Sequence, residues 1–315
     1  MSDNAISFLD GLLAPPPRIA RTGLHGRATR SLAGQPERLL LEASTLRQAL
    51  AAMAALATAS EVEAPSRLGA ARDILIRHAL RTHQMVTVPA TVVGDALVPA
   101  FRVGQFLCGR GLYDTIQIDS QSVPWTSIPY AEARRVSHEC GLALLTERQA
   151  LAIAQDILRQ PVNWTGGAVG VGRLYQGLHQ GVVSRPQAAT YLPRHQIERR
   201  WHVLSNGDVI FDMAGNAYSW IFDDVQGDAR GVVARKFLPN SPTTARSEEW
   251  PHDIGAGDGP LPGTDYRGEA LIRGGHAGSG AIAGIFHLRT HAIERGEYEI
   301  GFRVTAPVEM EAAGA

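Results

Sequence analysis

Apolar residues near the start of the chain recur with the spacing of helices. From Leu39 to Leu56 they fall every three to four positions, and the same spacing returns from Ser66 to Leu80. Residues 1–35, by contrast, are rich in Pro, Gly and Arg and keep no regular period. We therefore expect residues 1–84 to form an extended arm and two helices. Helices of this size bury little on their own, so they should pack on the rest of the chain or on a neighbouring subunit.

The pattern changes at Met85, where short strand-like runs replace the helical spacing. Residues 86–88 and 98–103 are β-type runs that Gly and Pro interrupt. Further strand-like pieces follow at 203–204 and 209–211, within a glycine-rich second half of the chain. So long a stretch with few regular elements predicts a fold that holds long structured loops around a small sheet.

Two more helices are predicted between these groups of strands. The first covers residues 128–140, where apolar side chains share one helical face. The second begins after Thr146, a preferred N-cap residue, and runs to about Leu158. Gln149, three positions after Thr146, completes a capping box, which makes this helix start the best-defined boundary in the sequence.

Composition narrows the class of protein. With 44% hydrophobic and 19% charged residues, a chain of 315 residues can bury a sizeable core. Its 30 basic and 31 acidic side chains nearly cancel, so the overall positive charge of a typical nucleic-acid-binding protein is missing and no nucleic-acid partner is expected. Cys108 and Cys140 are too few for a disulfide framework or a structural zinc site.

The sequence shows no export signal and no membrane span. Its longest apolar run, around residues 49–57, is far shorter than a bilayer requires. We therefore expect synthesis in the cytoplasm. A function outside the cell would then depend on lysis, on assembly into a particle such as a phage, or on another non-classical route to the cell surface.

Several short motifs occur in the order found in one protein family. The chain resembles the front of a formylglycine-generating-enzyme-type domain at residues 98–104, 124–134 and 140–150, where Leu144-Leu145-Thr146-Glu147 stands in place of the second-helix motif. It resembles the family's later motifs at Met213–Trp220, Leu271–Gly275 and Ile300–Arg303. The resemblance implies an α+β fold: a C-type lectin-like domain of the formylglycine-generating-enzyme subtype over residues 85–310, with an N-terminal helical extension over residues 1–84.

The motif residues suit structural roles. Gly215-Asn216 is typical of a tight turn in which the Asn side chain bonds the backbone. Trp220 is a large apolar anchor for the loops. Arg303, beside Phe302, fits a buried and hydrogen-bonded guanidinium that closes the last strand.

The C-terminal block most resembles the variable proteins of diversity-generating retroelements. Residues 274–288 follow their glycine-rich pattern, with Ala277 where Trp is common, and Ile300–Arg303 ends the block. The resemblance implies a non-enzymatic ligand- or receptor-binding protein, phage or bacterial, that displays a diversified surface over about 274–303. It implies no cofactor and no metal. The partner it implies is a variable protein or cell-surface ligand, and homo-oligomerisation would raise avidity.

The resemblance also places the ligand-binding residues. They are His276, Ala277, Ser279, Ile282, His287, Arg289, Thr290, His291, Glu294, Arg295, Glu297 and Tyr298. Eight of them are expected to cluster on one exposed face near the C-terminal strands: His276, Ser279, Ile282, His287, Arg289, Thr290, His291 and Tyr298. Apolar and polar residues alternate through 286–289, as a half-buried strand requires. We therefore expect Phe286, Leu288, Ile300 and Phe302 to point inward.

Other functions remain open on the sequence. An oxidase of the formylglycine-generating type would resemble its relatives in carrying a cysteine pair between the Gly-Gly and Gly-Phe-Arg motifs, and this chain has none there. A sulfoxide synthase would need a histidine triad that His78 and His83 do not match. A structural tail or injection-particle component would use helices 39–80 as its assembly surface. An undiversified lectin-type loop is a further alternative.

Two metal sites are also open alternatives. Imidazole is a frequent metal ligand, and three histidines fall in the C-terminal block, but their spacings of eleven and four residues come without a carboxylate in a fixed frame. Asp223, Asp224 and Asp228 would suit calcium, although an acidic surface loop explains them better.

Overall fold

The computed structural model describes residues 83–193, 198–244 and 263–308 of the chain. The arm and helices predicted for residues 1–84 lie outside these ranges, except for His83 and Gln84. Within them the chain has an α+β fold, with two helices and several small, mostly antiparallel sheets. This element content confirms the fold class predicted from the sequence.

One four-stranded antiparallel sheet joins the two ends of the described chain. Its strands lie in the order β1 (Met85–Val88), β4 (Phe101–Gly104), β14 (Val304–Pro307) and β7 (Ala143–Leu144). In β1, Val86 and Val88 are buried while their neighbours are half-buried, so one face of the strand packs on the core. The pairing of β14 with β4 returns the chain, after the C-terminal block, to the start of the domain.

A second four-stranded sheet carries the C-terminal block. Its strands lie in the order β12 (Gly284–Ala292), β11 (Glu269–Gly274), β10 (Tyr218–Ile221) and β13 (Ile300–Phe302). All neighbours are antiparallel except β10 and β13, which run parallel. Strand β12 therefore lies at one edge of this sheet, next to β11.

Three two-stranded ribbons complete the described strands. In the first, β2 (Thr91–Val93) pairs with β3 (Ala96–Val98). In the second, β5 (Gly109–Arg110) pairs with β6 (Ile116–Gln117), and in the third, β8 (Trp201–Val203) pairs with β9 (Val209–Phe211). Long irregular segments connect them, as the glycine-rich sequence predicted.

Both helices predicted for this part of the chain are present. Helix α1 covers Tyr130–Glu139 and helix α2 covers Glu147–Leu158. The capping box is confirmed, because the Thr146 hydroxyl accepts a hydrogen bond from Gln149 N at 3.2 Å and the Gln149 side chain accepts one from Thr146 N at 3.1 Å. Neither helix is long and apolar enough to cross a bilayer.

The centre of the second sheet is buried on both faces. Ile221 and Leu271 point into a hydrophobic cluster that includes the apolar residues of α2, whereas Trp220 and Ile272 point into a second cluster that includes those of α1. This explains why β10 shows no alternation of burial along Tyr218–Ile221.

The predicted roles of the Gly-Asn turn and of the last arginine are confirmed. Asn216 has a φ of 67°, and its side-chain oxygen accepts a hydrogen bond from Gln187 N at 2.8 Å. Arg303 is fully buried and donates hydrogen bonds to the carbonyl oxygens of Gly104 and Phe211. Because its guanidinium is buried, the pKa of Arg303 falls to about 10.

Candidate functional site

The C-terminal block 274–303 runs through both edges of the second sheet. After β11 it forms a short 3-10 turn at Gly280–Ile282, then β12, a loop over 293–299, and β13. We call the side chains of this block that reach solvent the C-terminal face. Its shape depends on how the backbone of the block is held by the rest of the domain.

The first part of the block is hydrogen-bonded to two fixed loops. Ala277 N donates to Asn216 O at 3.2 Å, and Gly280 N donates to His179 O at 2.9 Å. In return, Gly181 N donates to Ala277 O at 2.7 Å. These bonds fix the path of residues 277–280 without using any of their side chains.

A buried polar network supports these loops. Asn216 donates to an Asp212 carboxylate oxygen at 2.9 Å, and Arg200 binds the same carboxylate through Nε at 2.8 Å and Nη2 at 2.5 Å. Arg200 also donates to the carbonyl oxygen of Gln187 at 2.9 Å. The sequence signal for Asp212 was its place directly before the Met-Ala-Gly-Asn motif, whereas no local pattern pointed to Arg200.

A buried ion pair supports β11 and β12. Arg273 Nε donates to Glu147 Oε2 at 2.8 Å, and its Nη2 also reaches this carboxylate. Arg273 Nη1 donates to Phe286 O at 3.0 Å, so the same side chain connects α2, β11 and β12. Both residues belonged to motifs of the sequence, but their pairing was not predicted.

The second part of the block is held by the entry to α1. Ser127 N donates to Glu297 O at 2.9 Å, and Tyr130 N donates to Ile293 O at 3.2 Å. A Cβ at Gly296 would lie 2.4 Å from the Ser127 carbonyl group, so no side chain fits there. The loop 293–299 is therefore attached at two points, while Glu294, Arg295 and Tyr298 are exposed.

The ligand-binding residues predicted from the sequence divide into three groups by burial. Those that are exposed are Ile282, Arg289, Glu294, Arg295 and Tyr298. Those that are half-buried are His276, Ser279, Thr290, His291 and Glu297. Those that are buried are Ala277 and His287.

The exposure predicted for His287 is wrong, and Ala277, another of the predicted ligand-binding residues, is buried as well. His287 is fully buried: its ring packs on Tyr218 of β10 with 5.5 Å between ring centroids, and its Nε2 hydrogen-bonds the Tyr218 hydroxyl at 3.0 Å. The main-chain N–H and C=O of Ala277 are both hydrogen-bonded to the loops that contain Asn216 and Gly181. The predicted alternation of buried and exposed side chains through residues 286–289 therefore fails at His287.

The residues predicted to point inward do so to different degrees. Leu288, Ile300 and Phe302 are buried, as predicted. Phe286 is only partly buried, although it packs against the cluster that includes α2.

Two imidazole–carboxylate pairs lie on the C-terminal face. His276 Nδ1 is 3.1 Å from Glu299 Oε2, and His291 Nε2 is 3.9 Å from Glu297 Oε1. Burial lowers the pKa of His276, an effect that the Glu299 carboxylate opposes. The rings rest on aromatic residues of β10, His276 on Tyr218 with 5.5 Å between centroids and His291 on Trp220 with 5.6 Å.

His276, His287 and His291 therefore all lie near β10, where their rings pack against the aromatic rings of Tyr218 or Trp220. In the described ranges no group of three His, Cys, Asp or Glu residues has the geometry to hold a metal ion. Asp223 is buried and accepts hydrogen bonds from Val225 N and Gln226 N, both at 3.0 Å. Burial raises the pKa of its carboxyl group.

Neither cysteine has the surroundings of a reactive thiol. Cys108 and Cys140 are both buried within the cluster that includes α1. Burial raises the pKa of the Cys108 thiol, which Arg303 only partly opposes. This thiol is protonated at neutral pH, so it is a poor nucleophile and a poor metal ligand.

The fold has similarities among solved structures. The chain is 14% identical to PvdO from Pseudomonas aeruginosa, with a TM-score of 0.36 over 71% of this chain and 94% of that one. It is 11% identical to Treponema denticola variable protein 1, with a TM-score of 0.39 over 71% of this chain and 95% of that one. It is 13% identical to the Major Tropism Determinant U1 variant, with a TM-score of 0.32 over 71% of this chain and 55% of that one.

No family model and no curated protein sequence matches the chain.

Proposed function

We propose that this chain is a non-enzymatic binding protein whose C-terminal block 274–303 displays a diversified, ligand-contacting surface. The proposal takes up the sequence resemblance to variable proteins of diversity-generating retroelements, which have a C-type lectin-like domain. Its ligand is a molecule on a cell surface, and its place is a phage particle or a cell surface reached by a non-classical route.

One observation carries the proposal. The backbone of the block is held at its beginning and end by main-chain hydrogen bonds to fixed loops, while Arg289, Glu294, Arg295 and Tyr298 project into solvent. A side chain that contributes nothing to the position of its own backbone is free to change. A rigid backbone with replaceable side chains is what a diversified binding surface requires.

Burial corrects the set of positions that are open to change. His287 and Ala277 belong to the support of the face, because their side chains are buried. The pairs His276–Glu299 and His291–Glu297 are half-buried, so their side chains belong partly to the support of the face and partly to its surface. We therefore assign ligand contact mainly to Ile282, Arg289, Thr290, Glu294, Arg295 and Tyr298.

The enzymatic alternative lacks a nucleophile at the place its relatives use. An oxidase of the formylglycine-generating type needs reactive thiols, and Cys108 lies buried with its pKa raised. The alternative of a structural particle component depends on residues 39–80, which lie outside the described residues. We propose that the chain associates as a homo-oligomer, since several weak sites bound together raise avidity.

Sequencing the DNA around the gene tests the proposal most directly. A reverse transcriptase gene and a near-copy of the codons for 274–303 are expected nearby. Within that copy, differences should concentrate in the codons of the exposed residues and spare those of His287, Leu288 and Phe302. A complete genome with neither the gene nor the copy would contradict diversification.

A further inference from the structure

Strand β12 forms one edge of the second sheet and is paired on one side only. Its nine residues pair with β11, in a register that runs from Glu269↔Ala292 to Gly274↔Gly284. In the described ranges of the chain, no strand and no isolated bridge pairs with the other side of β12, and no further hydrogen bond between main-chain groups involves residues 288–292. Such an edge presents N–H and C=O groups with which another strand can pair.

The pairing of β10 shows which way the main-chain groups of the sheet point. Tyr218 N donates to Glu299 O at 2.9 Å, so the main-chain groups of Tyr218 face the side of β13. Successive residues of a strand direct these groups to opposite sides, so those of Ser219 face β11. Arg273, the antiparallel partner of Ser219, therefore faces β10 in return.

The same alternation identifies the groups at the free edge of β12. Ile272, next to Arg273, faces β12, so Ile272 and its partner Arg289 form a hydrogen-bonded pair. The two neighbours of Arg289, which are Leu288 and Thr290, therefore direct their main-chain N–H and C=O groups away from the sheet. Each of them offers one donor and one acceptor to a strand outside the domain.

The second half of this edge is open to solvent. Arg289 and Ala292 are exposed, and Thr290 and His291 are half-buried, whereas the strand is mostly buried from Gly284 to residue 288. The accessible length, residues 289–292, corresponds to a short β-strand. It lies in the middle of the C-terminal face.

A strand that pairs with this edge binds groups that no change of side chain in β12 removes. When a peptide adds to a sheet in this way, main-chain hydrogen bonds give affinity and the side chains give specificity. This division suits a block whose backbone is held while its side chains vary. The constant part of the contact is then the main chain, and Arg289, Thr290 and His291 supply the variable part.

We infer that the C-terminal face binds its ligand as an extended polypeptide segment, which joins the second sheet as a further strand beside β12. This inference rests on the proposed function and names the chemistry of its ligand. Arg289 is exposed and has no ion-pair partner among the described residues. The segment that fits this chain as it stands therefore carries an acidic side chain close to Arg289.

A second copy of this chain fits the edge less well than a peptide does. Antiparallel pairing of β12 with itself, centred on Thr290, would bring both Arg289 side chains to one face of the joined sheet, close to the two-fold axis. Like charges on neighbouring strands destabilise such a pair. A peptide with an acidic side chain has the opposite charge at this place.

The test begins with random linear dodecapeptides, displayed on phage and selected on the immobilised full chain. The selected peptides are synthesised, and Kd is measured with each peptide nitrogen methylated in turn. Methylation removes one N–H donor at a time. We expect Kd to rise at least tenfold at every second position of a continuous stretch and less than threefold between them, because alternate residues of a bound strand face β12.

Two variants of the chain give the matched comparison. Thr290→Pro removes the outward N–H, and its ring occupies the space beside it, whereas Thr290→Ala changes the side chain alone. Binding should be lost in Thr290→Pro, while Thr290→Ala should raise Kd no more than fivefold. Proline is compatible with an edge strand where the N–H faces outward, so both variants should melt within a few degrees of each other. If Thr290→Pro does not fold, the methylation series decides alone.

The charge of the ligand has its own variant, Arg289→Glu, which should raise Kd for the acidic peptides at least tenfold. An unchanged Kd would overturn the acidic part of the inference.

Three results would overturn strand addition itself. They are a selection that yields no peptide, a methylation series without alternation, and equal losses in Thr290→Pro and Thr290→Ala. A chain that is dimeric by light scattering and becomes monomeric in Thr290→Pro would assign the edge to a second copy and overturn the inference as well. The proposed function would stand in each case, because the reverse transcriptase gene and the near-copy of the codons test it separately.

Discussion

Arg273 of β11 and Glu147 of α2 form a buried ion pair between residues 126 positions apart in the chain. Glu147 is fully buried and Arg273 is 6% exposed. Arg273 also donates to Thr243 O at 3.1 Å and to Phe286 O at 3.0 Å, so its guanidinium satisfies carbonyl groups of two further segments. The pair fixes the sheet that carries the C-terminal face against a helix on the other side of the core.

Removing one partner of this pair should unfold the domain more readily. Glu147→Gln leaves the guanidinium of Arg273 buried without a counter-charge, which typically costs about 3–5 kcal/mol. We expect a loss of this size in the free energy of unfolding, measured with urea on the full chain. Replacing both partners, as Glu147→Gln with Arg273→Met, should cost less than the sum of the two single changes.

A surface pair gives the matched comparison. Glu132 and Arg135 of α1 form an ion pair with both side chains at least 40% exposed. Glu132→Gln should lower the free energy of unfolding by no more than about 1 kcal/mol. Equal losses at Glu132 and Glu147 would show that the buried pair has no special role in the fold.

Replacing the exposed residues of the C-terminal face should leave the fold unchanged. Arg289, Glu294, Arg295 and Tyr298 project into solvent, and surface substitutions of this kind usually change stability by about 0.5 kcal/mol or less. We expect the quadruple alanine variant to melt within a few degrees of the parent chain while its binding specificity changes. A cooperative transition lost or lowered by tens of degrees would mean that these side chains support the domain.

Core residues of the same block should behave in the opposite way. Phe302 is fully buried between Trp125 and the cluster that includes α1, and Phe→Ala changes at such sites cost about 3–5 kcal/mol. The expected result for Phe302→Ala is a large drop in the urea midpoint. A small drop would place Phe302 outside the core, contrary to its burial.

The sequence predicted those elements whose signals are local. The capping box at Thr146 and Gln149 and the Gly215-Asn216 turn depend on residues a few positions apart, and both were found where expected. The burial of Arg303 followed from its place in a motif next to Phe302. Such features need no knowledge of which strands lie side by side.

The sequence could not predict contacts that depend on strand order. The alternation of apolar and polar residues predicted that His287 would be exposed. It is buried against Tyr218 of β10, which lies 69 positions away in the chain. The Glu147–Arg273 pair has the same origin. Each is created by the arrangement of the sheet, which no local period encodes.

Stability should fall in mild acid because His202 is buried in its neutral form. Burial lowers its pKa from about 6.5 to about 4, while its Nε2 lies 2.9 Å from Tyr175 O. As the pH falls below 6.5 the unfolded chain binds this proton before the folded chain does, so the free energy of unfolding decreases. The full effect, complete below pH 4, is on the order of 3 kcal/mol.

Urea unfolding between pH 4.5 and 7.5 measures this dependence. His202→Gln removes the titrating group and keeps a donor for Tyr175 O, so the slope of stability against pH should become shallower. His138→Gln, at an exposed position of α1, serves as the control substitution. His83, whose pKa is also lowered to about 4 by burial, contributes equally to all three chains. An unchanged slope in His202→Gln would show that His202 is not held neutral by burial.

The position of His287 separates the support of the C-terminal face from its surface. Its imidazole is fully buried and hydrogen-bonded to the Tyr218 hydroxyl at 3.0 Å, so His287→Ala removes the partner of a buried hydroxyl and leaves space behind. Leaving such a group unsatisfied costs about 1–3 kcal/mol, and the lost packing adds to it. His291→Ala, four positions along the same strand but half-buried, should cost clearly less. Urea unfolding of both variants decides the matter: equal and small losses would return His287 to the exposed, variable positions, whereas a larger loss at His287 assigns it to the fixed support on which the variable side chains depend.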